Sequence, residues 1–290
     1  MKEKIVFIVN PISGGKNKGK FTEWVNQYLD AEKYDSQIFF TKNPGHACLL
    51  TKDALQNGVK KIIAVGGDGT VNEVARELVG SDACLGIIPF GSGNGLARHM
   101  GIPVDPKKAI QHLNTCGTKK NDAGKINNMP FFCTSGVGFD AHIGKIFATL
   151  KGRGFAGYIK AVLGEFASYK AQEYTFISEA GTKQDKAFLI TFANASQYGN
   201  NAYIAPQADT HDGKLDICIL KPFPLYAVGG LALRVFNKTA NKSAYMKTFT
   251  SNKIEVKRSG SGPIHLDGEP YEAGDTLSVE IIPGAINIMA

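Results

Sequence analysis

The sequence predicts two domains of different architecture. A doubly wound α/β domain covers residues 1–118, a mainly antiparallel β domain follows over 119–282, and 283–290 form a C-terminal segment able to return to the first domain. Three observations carry this. The 290 residues exceed what one ordinary core supports. Through the first part of the chain, short apolar runs alternate with amphipathic stretches, the pattern of a parallel sheet covered by helices. After Thr118 the chain instead alternates strand-like runs with glycine-rich turns.

Each element follows from its own pattern. Ile5 to Val9 reads as a buried strand, and Phe21, Trp24, Val25, Tyr28 and Leu29 recur at the spacing of one helix face. The alternation repeats three times: Gln37 to Thr41 before a helix through Leu49, Leu50, Ala54 and Leu55; Ile62 to Val65 before Val71, Val74, Ala75 and Leu78; Leu85 to Ile88 before a short helix opening near Asn94. In the second domain Asn127-Asn128 reads as a hairpin turn between strands Asp122 to Ile126 and Pro130 to Thr134. Further strands are expected at Tyr174 to Glu179, Phe188 to Ala193, Lys214 to Leu220, Lys253 to Arg258, Ile264 to Asp267 and Thr276 to Ile282. Helices are expected at Gly157 to Tyr169 and Leu225 to Phe236.

Composition excludes several classes. Hydrophobic residues at 43% and charged residues at 20% describe an ordinary packed protein. The excess of 33 basic over 26 acidic residues, +7, suits a polyanionic partner without choosing one. Cys48, Cys84, Cys116, Cys133 and Cys218 are odd in number and form no C-x-x-C pair, so neither a disulfide framework nor a zinc site is expected. The longest apolar stretch, Pro224 to Phe236 with Arg234 inside it, is shorter than the ~20 residues that span a bilayer. The expectation is a soluble protein of a reducing, cytoplasmic compartment.

Three loops after strands of the first domain are rich in glycine: Asn10-Pro11-Ile12-Ser13-Gly14-Gly15, Gly66-Gly67-Asp68-Gly69-Thr70-Val71-Asn72-Glu73, and Gly91-Ser92-Gly93-Asn94-Gly95-Leu96-Ala97-Arg98. Ligands of open parallel sheets bind beyond the carboxyl ends of the strands. Glycines there let main-chain N–H groups approach a phosphate, and each following helix adds its positive end. One such loop is ordinary turn chemistry; three at matching sites describe a phosphate cradle. Gly14 to Lys20 also spells G-x-x-x-x-G-K, but Phe21 stands where a P-loop needs Ser or Thr. No G-x-G-x-x-G follows a strand, and neither H-E-x-x-H nor G-x-S-x-G is present.

These three loops, in this order and followed by Leu266-Asp267-Gly268-Glu269, resemble the diacylglycerol kinase catalytic-domain family, which includes bacterial lipid kinases and the sphingosine and ceramide kinases. The resemblance implies an NAD kinase-like α/β nucleotide domain with a β-sandwich domain, and transfer of the ATP γ-phosphate to a lipid hydroxyl. By motif position, Asn10, Pro11, Ser13, Gly14, Thr41, Gly66, Gly67, Asp68, Gly69, Thr70, Asn72 and Ser92 would contact the nucleotide. Asp267, with Glu269 beside it, would take the position of the catalytic base. Phosphoryl transfer needs charge neutralisation, a metal and a proton acceptor, and Asp68 is a carboxylate suited to a metal shell or proton relay. The alternatives stay open: Asp68 as a turn-making residue, and Asp267-Gly268 as a hairpin turn.

The same resemblance implies a structural Mg2+ held by Asp209, Asp212 and the Lys214 carbonyl, an oxygen set that suits magnesium; Asp-Gly before an apolar strand is equally turn chemistry. One departure limits the choice of lipid. Many bacterial diacylglycerol kinases read G-T-x-N-D in the third loop, whereas Gly91-Ser92-Gly93-Asn94-Gly95 is closer to sphingosine kinases. Lys145, Lys151, Arg153 and Lys160 interleave with Phe147, Leu150, Phe155, Tyr158, Leu163 and Phe166, which suits either a basic surface on anionic lipid or a buried helix with solvated lysines. The expectation is a peripheral membrane enzyme using ATP and magnesium, with no transmembrane segment, no nucleic-acid partner, and a homodimer left open. An NAD kinase-like enzyme and a non-catalytic lipid-binding module are the alternatives; Asn10 to Gly15 with Asp267-Gly268-Glu269 argue against the first, and the presence of Asp68 and Asp267 against the second.

Overall fold

The structure, a computed structural model, describes residues 2–15, 18–149, 164–166, 168–179 and 181–290. It divides into two units, Met1–Asn121 with Gly284–Ala290, and Asp122–Pro283.

The first unit is a parallel sheet. Strands β1 (Glu3–Val9), β2 (Tyr34–Phe40), β3 (Lys61–Gly66) and β4 (Cys84–Pro89) lie in the order β2-β1-β3-β4. Ile5 to Val9, Ile62 to Val65 and Leu85, Ile87 and Ile88 are buried, as strands covered on both faces must be. Helices α1 (Phe21–Tyr28), α2 (His46–Gln56), α3 (Asp68–Leu78), α4 (Gly95–His99) and α5 (Pro106–Leu113) follow. Helix α2 packs on α3, and α1 on α5. Helix α5 is not among the elements expected from the apolar pattern, although its start is well marked: the Asp105 carboxylate accepts from the Lys108 N–H, and Pro106 sits where its missing N–H costs nothing.

The second unit is a β-sandwich. One sheet orders β12 (Met246–Ser251), β11 (Leu215–Leu220), β10 (Leu189–Ala193), β7 (Thr134–Gly138), β14 (Gly262–Leu266) and β15 (Glu269–Ala273), all antiparallel. The other runs from the first part of β16 (Thr276–Met289) through β13 (Lys253–Lys257) and β8 (Gln172–Ser178) to β9 (Gly181–Ala187). Val137, Ile190, Phe192 and Ile217 of one sheet close a core with Phe176, Ile254, Val256 and Leu277 of the other. The β5 (Thr118–Ile126) to β6 (Met129–Phe131) hairpin turns at Asn127 and Asn128, both at positive φ as a tight hairpin demands.

Strands β7, β9, β12 and β15 were not expected, and the strand expected at Pro130 to Thr134 ends at Phe131, with β7 starting afresh at Thr134. Gly181–Ala187 is nearly all polar and, among the described residues, pairs with β8 alone, and Glu269–Ala273 carries Pro270 and likewise pairs with β14 alone; edge strands lack the apolar alternation that reveals a strand in sequence. Helix α6 (Phe139–Thr149) was also missed, while the expected helix at Leu225 to Phe236 divides into a 3-10 turn (Leu225–Ala227) and α7 (Val228–Phe236). The expected helix at 157–169 and the basic-aromatic run through it lie mostly outside the described residues. Strand β16 runs beyond the Ile282 expected: Thr276 to Glu280 pair with β13, Gly284 takes φ +56°, and Asn287 and Ile288 pair with β4 in parallel.

Candidate active-site loops and the Asp-Gly-Glu turn

In the first unit the three glycine loops are knitted together at the carboxyl ends of β1, β3 and β4. Gly14 has φ +65°, and a Cβ on it would lie 1.7 Å from the Phe90 carbonyl oxygen, so no other residue fits. Gly67 and Gly91 meet almost backbone to backbone: a Cβ on Gly91 would stand 2.6 Å from the Gly67 Cα. The polar side chains of the motifs serve the same assembly. Asn10 Nδ2 donates to Thr70 Oγ1 at 3.0 Å, while its Oδ1 accepts from the Ile12 N–H. Asn94, at φ +53°, brackets Gly91 by accepting from its N–H at 2.9 Å and donating to its carbonyl at 2.7 Å.

Asp68 opens α3, and its carboxylate accepts from the main-chain N–H groups of Asn94 (2.9 Å) and Gly95 (2.7 Å). It therefore fastens the second loop to the third. Glu73, one turn further on, accepts from Gly45 (2.9 Å) and Ala47 (3.2 Å) and so caps α2, tying in the loop that begins at Thr41, whose own N–H bonds Val9. Asn72 and Thr70 are buried, and Ser92 is exposed at the loop tip. One residue was missed from sequence: Lys18 is buried, its Nζ donates to the Ser13 carbonyl at 2.7 Å and the Pro11 carbonyl at 3.4 Å, and it lies 4.8 Å from the Phe90 ring centroid. It gathers the carbonyl ends of the first loop to one side. Nothing but its place between glycines distinguishes it from its neighbours in sequence.

In the second unit, Asp267 (φ +49°) and Gly268 (φ +87°) make the tight turn of the β14–β15 hairpin. The Asp267 carboxylate accepts from the N–H groups of Phe132 (3.0 Å), Cys133 (2.7 Å) and Thr134 (3.1 Å), and its own N–H bonds the Thr134 carbonyl. Asp267 is therefore an anchor for the 132–134 segment, whereas Glu269, on the far side of the turn, is exposed.

Beneath the turn lies a buried polar cluster that no motif in the sequence marks. His265 Nε2 stands 3.2 Å from Asp140 Oδ2, and the Gly268 N–H points at His265 Nδ1 at 3.4 Å. Nε2 is thus the ring nitrogen turned toward the carboxylate, and Nδ1 the one turned toward the backbone of the turn. Thr191 Oγ1 and Tyr198 Oη each lie 3.3 Å from Asp140 Oδ2. Room for the pair exists because residue 136 is glycine: a Cβ there would lie 2.7 Å from Asp140 Oδ2 and 3.0 Å from His265 Nε2. Two other histidines lie apart from this cluster: His142 pairs with Glu165 and His211 with Asp209.

Beside Asp140, on the same helix, Phe139 and Ile143 join Phe188, Leu189 and Leu220 in an apolar cluster with Phe166, Tyr169, Phe223 and Leu231. Part of it borders a cavity of about 330 Å³ between Phe166, Tyr169, Phe188 and Phe223. Burial pushes the Tyr169 hydroxyl up to about 12, so it is neutral there.

The expected metal cluster is organised as a turn. Asp209 Oδ1 accepts from the His211 N–H, Asp212 Oδ1 from the Lys214 N–H, and Asp122 Oδ2 from the Gly213 N–H, with Gly213 at φ +69°. Among the described residues no group of three or more His, Cys, Asp or Glu side chains is arranged to hold a metal. Burial raises the thiols of Cys48, Cys116 and Cys218, which keeps them protonated and unreactive.

Residues 4–126 match the diacylglycerol kinase catalytic domain, and residues 134–290 match the YegS C-terminal NAD kinase beta sandwich-like domain. A Pseudomonas fluorescens protein named "Probable lipid kinase YegS-like" is 31% identical over 281 residues, 93% of this chain and 92% of its own. A Klebsiella pneumoniae protein of the same name is 30% identical, over 94% of this chain and 91% of its own. A crystal structure of a diacylglycerol kinase from Bacillus anthracis shares the fold, with a TM-score of 0.75 over 99% of this chain and 96% of that one at 20% identity.

Proposed function

Because the chain belongs to the lipid kinase family that carries the diacylglycerol kinase catalytic domain, we propose that it transfers the γ-phosphate of ATP to the hydroxyl of a lipid acceptor of diacylglycerol or sphingoid-base type. The observation that carries this reading is the closeness of the three glycine loops. With Asn10, Thr70, Asp68, Glu73, Asn94 and Lys18 all spent on holding the loops, what remains at the sheet edge is glycine main chain, the surface a polyphosphate needs. The α3 N-terminus, which has no side-chain cap, adds its dipole. Magnesium, arriving with the triphosphate, would offset charge on the transferred group.

The two acids of the turn divide the labour. Asp267, engaged by three main-chain N–H groups, positions the turn; Glu269 is the exposed carboxylate and the better candidate to accept the hydroxyl proton. This reverses the weight that the motif alone placed on Asp267. The apolar cluster around Phe139 and Phe188, next to the buried Asp140, supports an acceptor with a hydrocarbon body and a polar head.

The test supplies labelled ATP and a panel of diacylglycerol, sphingoid base, ceramide, undecaprenol and NAD in mixed micelles. Label is expected in one of the lipids. Label in NAD alone would establish the soluble-nucleotide alternative, and no transfer to any acceptor would refute the kinase reading.

A further inference from the structure

From residue 217 to residue 254 the chain holds Lys221, Arg234, Lys238, Lys242, Lys247 and Lys253 and neither Asp nor Glu. The same run contains the most exposed apolar segment. Of nine large hydrophobic residues exposed among the described residues, four fall between 225 and 236: Leu225 (71% exposed), Tyr226 (85%), Leu233 (64%) and Phe236 (47%).

Helix α7 explains why these side chains are outside. Val228, Leu231 and Val235, at i, i+3 and i+7, are half-buried and form its packing stripe; Leu231 joins the Phe188 cluster, and the Val235 carbonyl accepts from the Tyr203 N–H at 3.0 Å. The opposite face carries Gly229, Ala232, Leu233 and Phe236, so it is apolar as well, and no residue of the helix is fully buried. A helix apolar on both faces has a partner on its outer side. Charge identifies that partner. Lys221 faces Asp185 and Lys253 faces Glu280, whereas Arg234, Lys238 and Lys242, at and just beyond the C-terminal end of α7, have no ion pair among the described residues. A second copy of this chain would bring the same acid-free face against itself, cation to cation. An anionic bilayer offers both what the apolar face needs and what the cations need.

The geometry points to Leu225–Lys242 as an interfacial anchor: α7 lies in the plane of an anionic membrane, with Leu225, Tyr226, Leu233 and Phe236 entering the acyl boundary and Arg234, Lys238 and Lys242 meeting the headgroups. The anchor goes beyond the kinase reading, and its test uses neither ATP nor an acceptor, so the two fail separately.

Full-length protein is sedimented with phosphatidylcholine vesicles with and without phosphatidylglycerol. Binding is expected only when the anionic lipid is present, and it should weaken with added salt. The variant Leu225→Ser/Leu233→Ser/Phe236→Ser should bind at least tenfold more weakly with an unchanged melting temperature, since these side chains are exposed. Arg234→Glu/Lys238→Glu/Lys242→Glu should lose binding comparably, while the same charge change at Lys2, Lys4 and Lys60 should retain it. A Phe236→Trp variant provides a check without loss of apolar surface: its added emission should shift to the blue on anionic vesicles. Equal binding to both vesicle types, no binding by the wild type, wild-type binding by the serine variant, or a wild-type dimer that the serine variant splits without change in vesicle binding would each overturn the anchor.

Discussion

The glycine loops of the first unit and the Asp267–Glu269 turn of the second use carboxylates in contrasting ways. In the loops every acid turns inward. Asp68 holds Asn94 and Gly95, Glu73 holds Gly45 and Ala47, and the outward surface is left to glycine main chain. In the turn one acid is committed to anchoring and the next stays outside: Asp267 grips 132–134, and Glu269 is exposed. A surface of main-chain donors binds charge without taking part in proton transfer, whereas an anchored hairpin that ends in an exposed carboxylate can act on a proton. The difference teaches which acids of a motif to expect in chemistry: those whose oxygens are not already spoken for by the fold.

If that division holds, Glu269→Gln should lower turnover about 10²- to 10⁴-fold while ATP affinity stays as in the wild type, measured as kcat on the labelled lipid beside an ATP titration. Full turnover in this variant would return the base to Asp267. Next in size, Gly14→Ala should destabilise the first unit by about 3 kcal/mol in denaturant unfolding, because it adds left-handed strain to a collision with the Phe90 carbonyl. Asp267→Ala should cost about 1–3 kcal/mol by leaving N–H groups of 132–134 without their acceptor, and should lower turnover indirectly. An unchanged unfolding midpoint would show that the anchor is idle. Asp68→Ala should weaken ATP about tenfold, ~1.4 kcal/mol, at unchanged magnesium dependence; a shifted magnesium requirement would instead make Asp68 a metal-shell residue, as the motif first suggested.

The smallest effect is a pH dependence away from both regions. Hydrogen bonds from Lys61 to Glu3 and from Lys125 to Glu280 hold both carboxyls below the ordinary glutamate range. A depressed folded pKa gives stability that is present above the unfolded value, about 4.3, and is lost as pH falls through the folded one. Both groups are largely solvated, so screening keeps the loss slight. Lys125→Ala should flatten that part of the stability profile.

The parallel strands were legible because burial on both faces writes them as apolar runs, and the loops because glycine has few other reasons to recur at three strand ends. What sequence could not supply was where the polar atoms point. Asp68 and Asp267 stand in the right motifs, yet their oxygens face main-chain N–H groups of residues 26–27 and 133–135 positions away, a pairing no local pattern encodes. His265 and Asp140 escaped notice for the same reason: they lie on β14 and α6 and meet only where Gly136 leaves space. Edge strands β9 and β15, polar and paired on one side, left no periodic trace.

Strand β16 contributes to both units without interruption. Thr276–Glu280 complete a sheet of the sandwich, and beyond Gly284 the same strand lies along β4. A cut after Asn121 would thus liberate a fragment with a raw flank, Cys84 and Leu85 stripped of their neighbours and ready to recruit other chains. Anyone wishing to study the glycine loops in isolation should splice 284–290 back on through a short tether or rewire the termini, since the boundary between the units crosses the chain more than once.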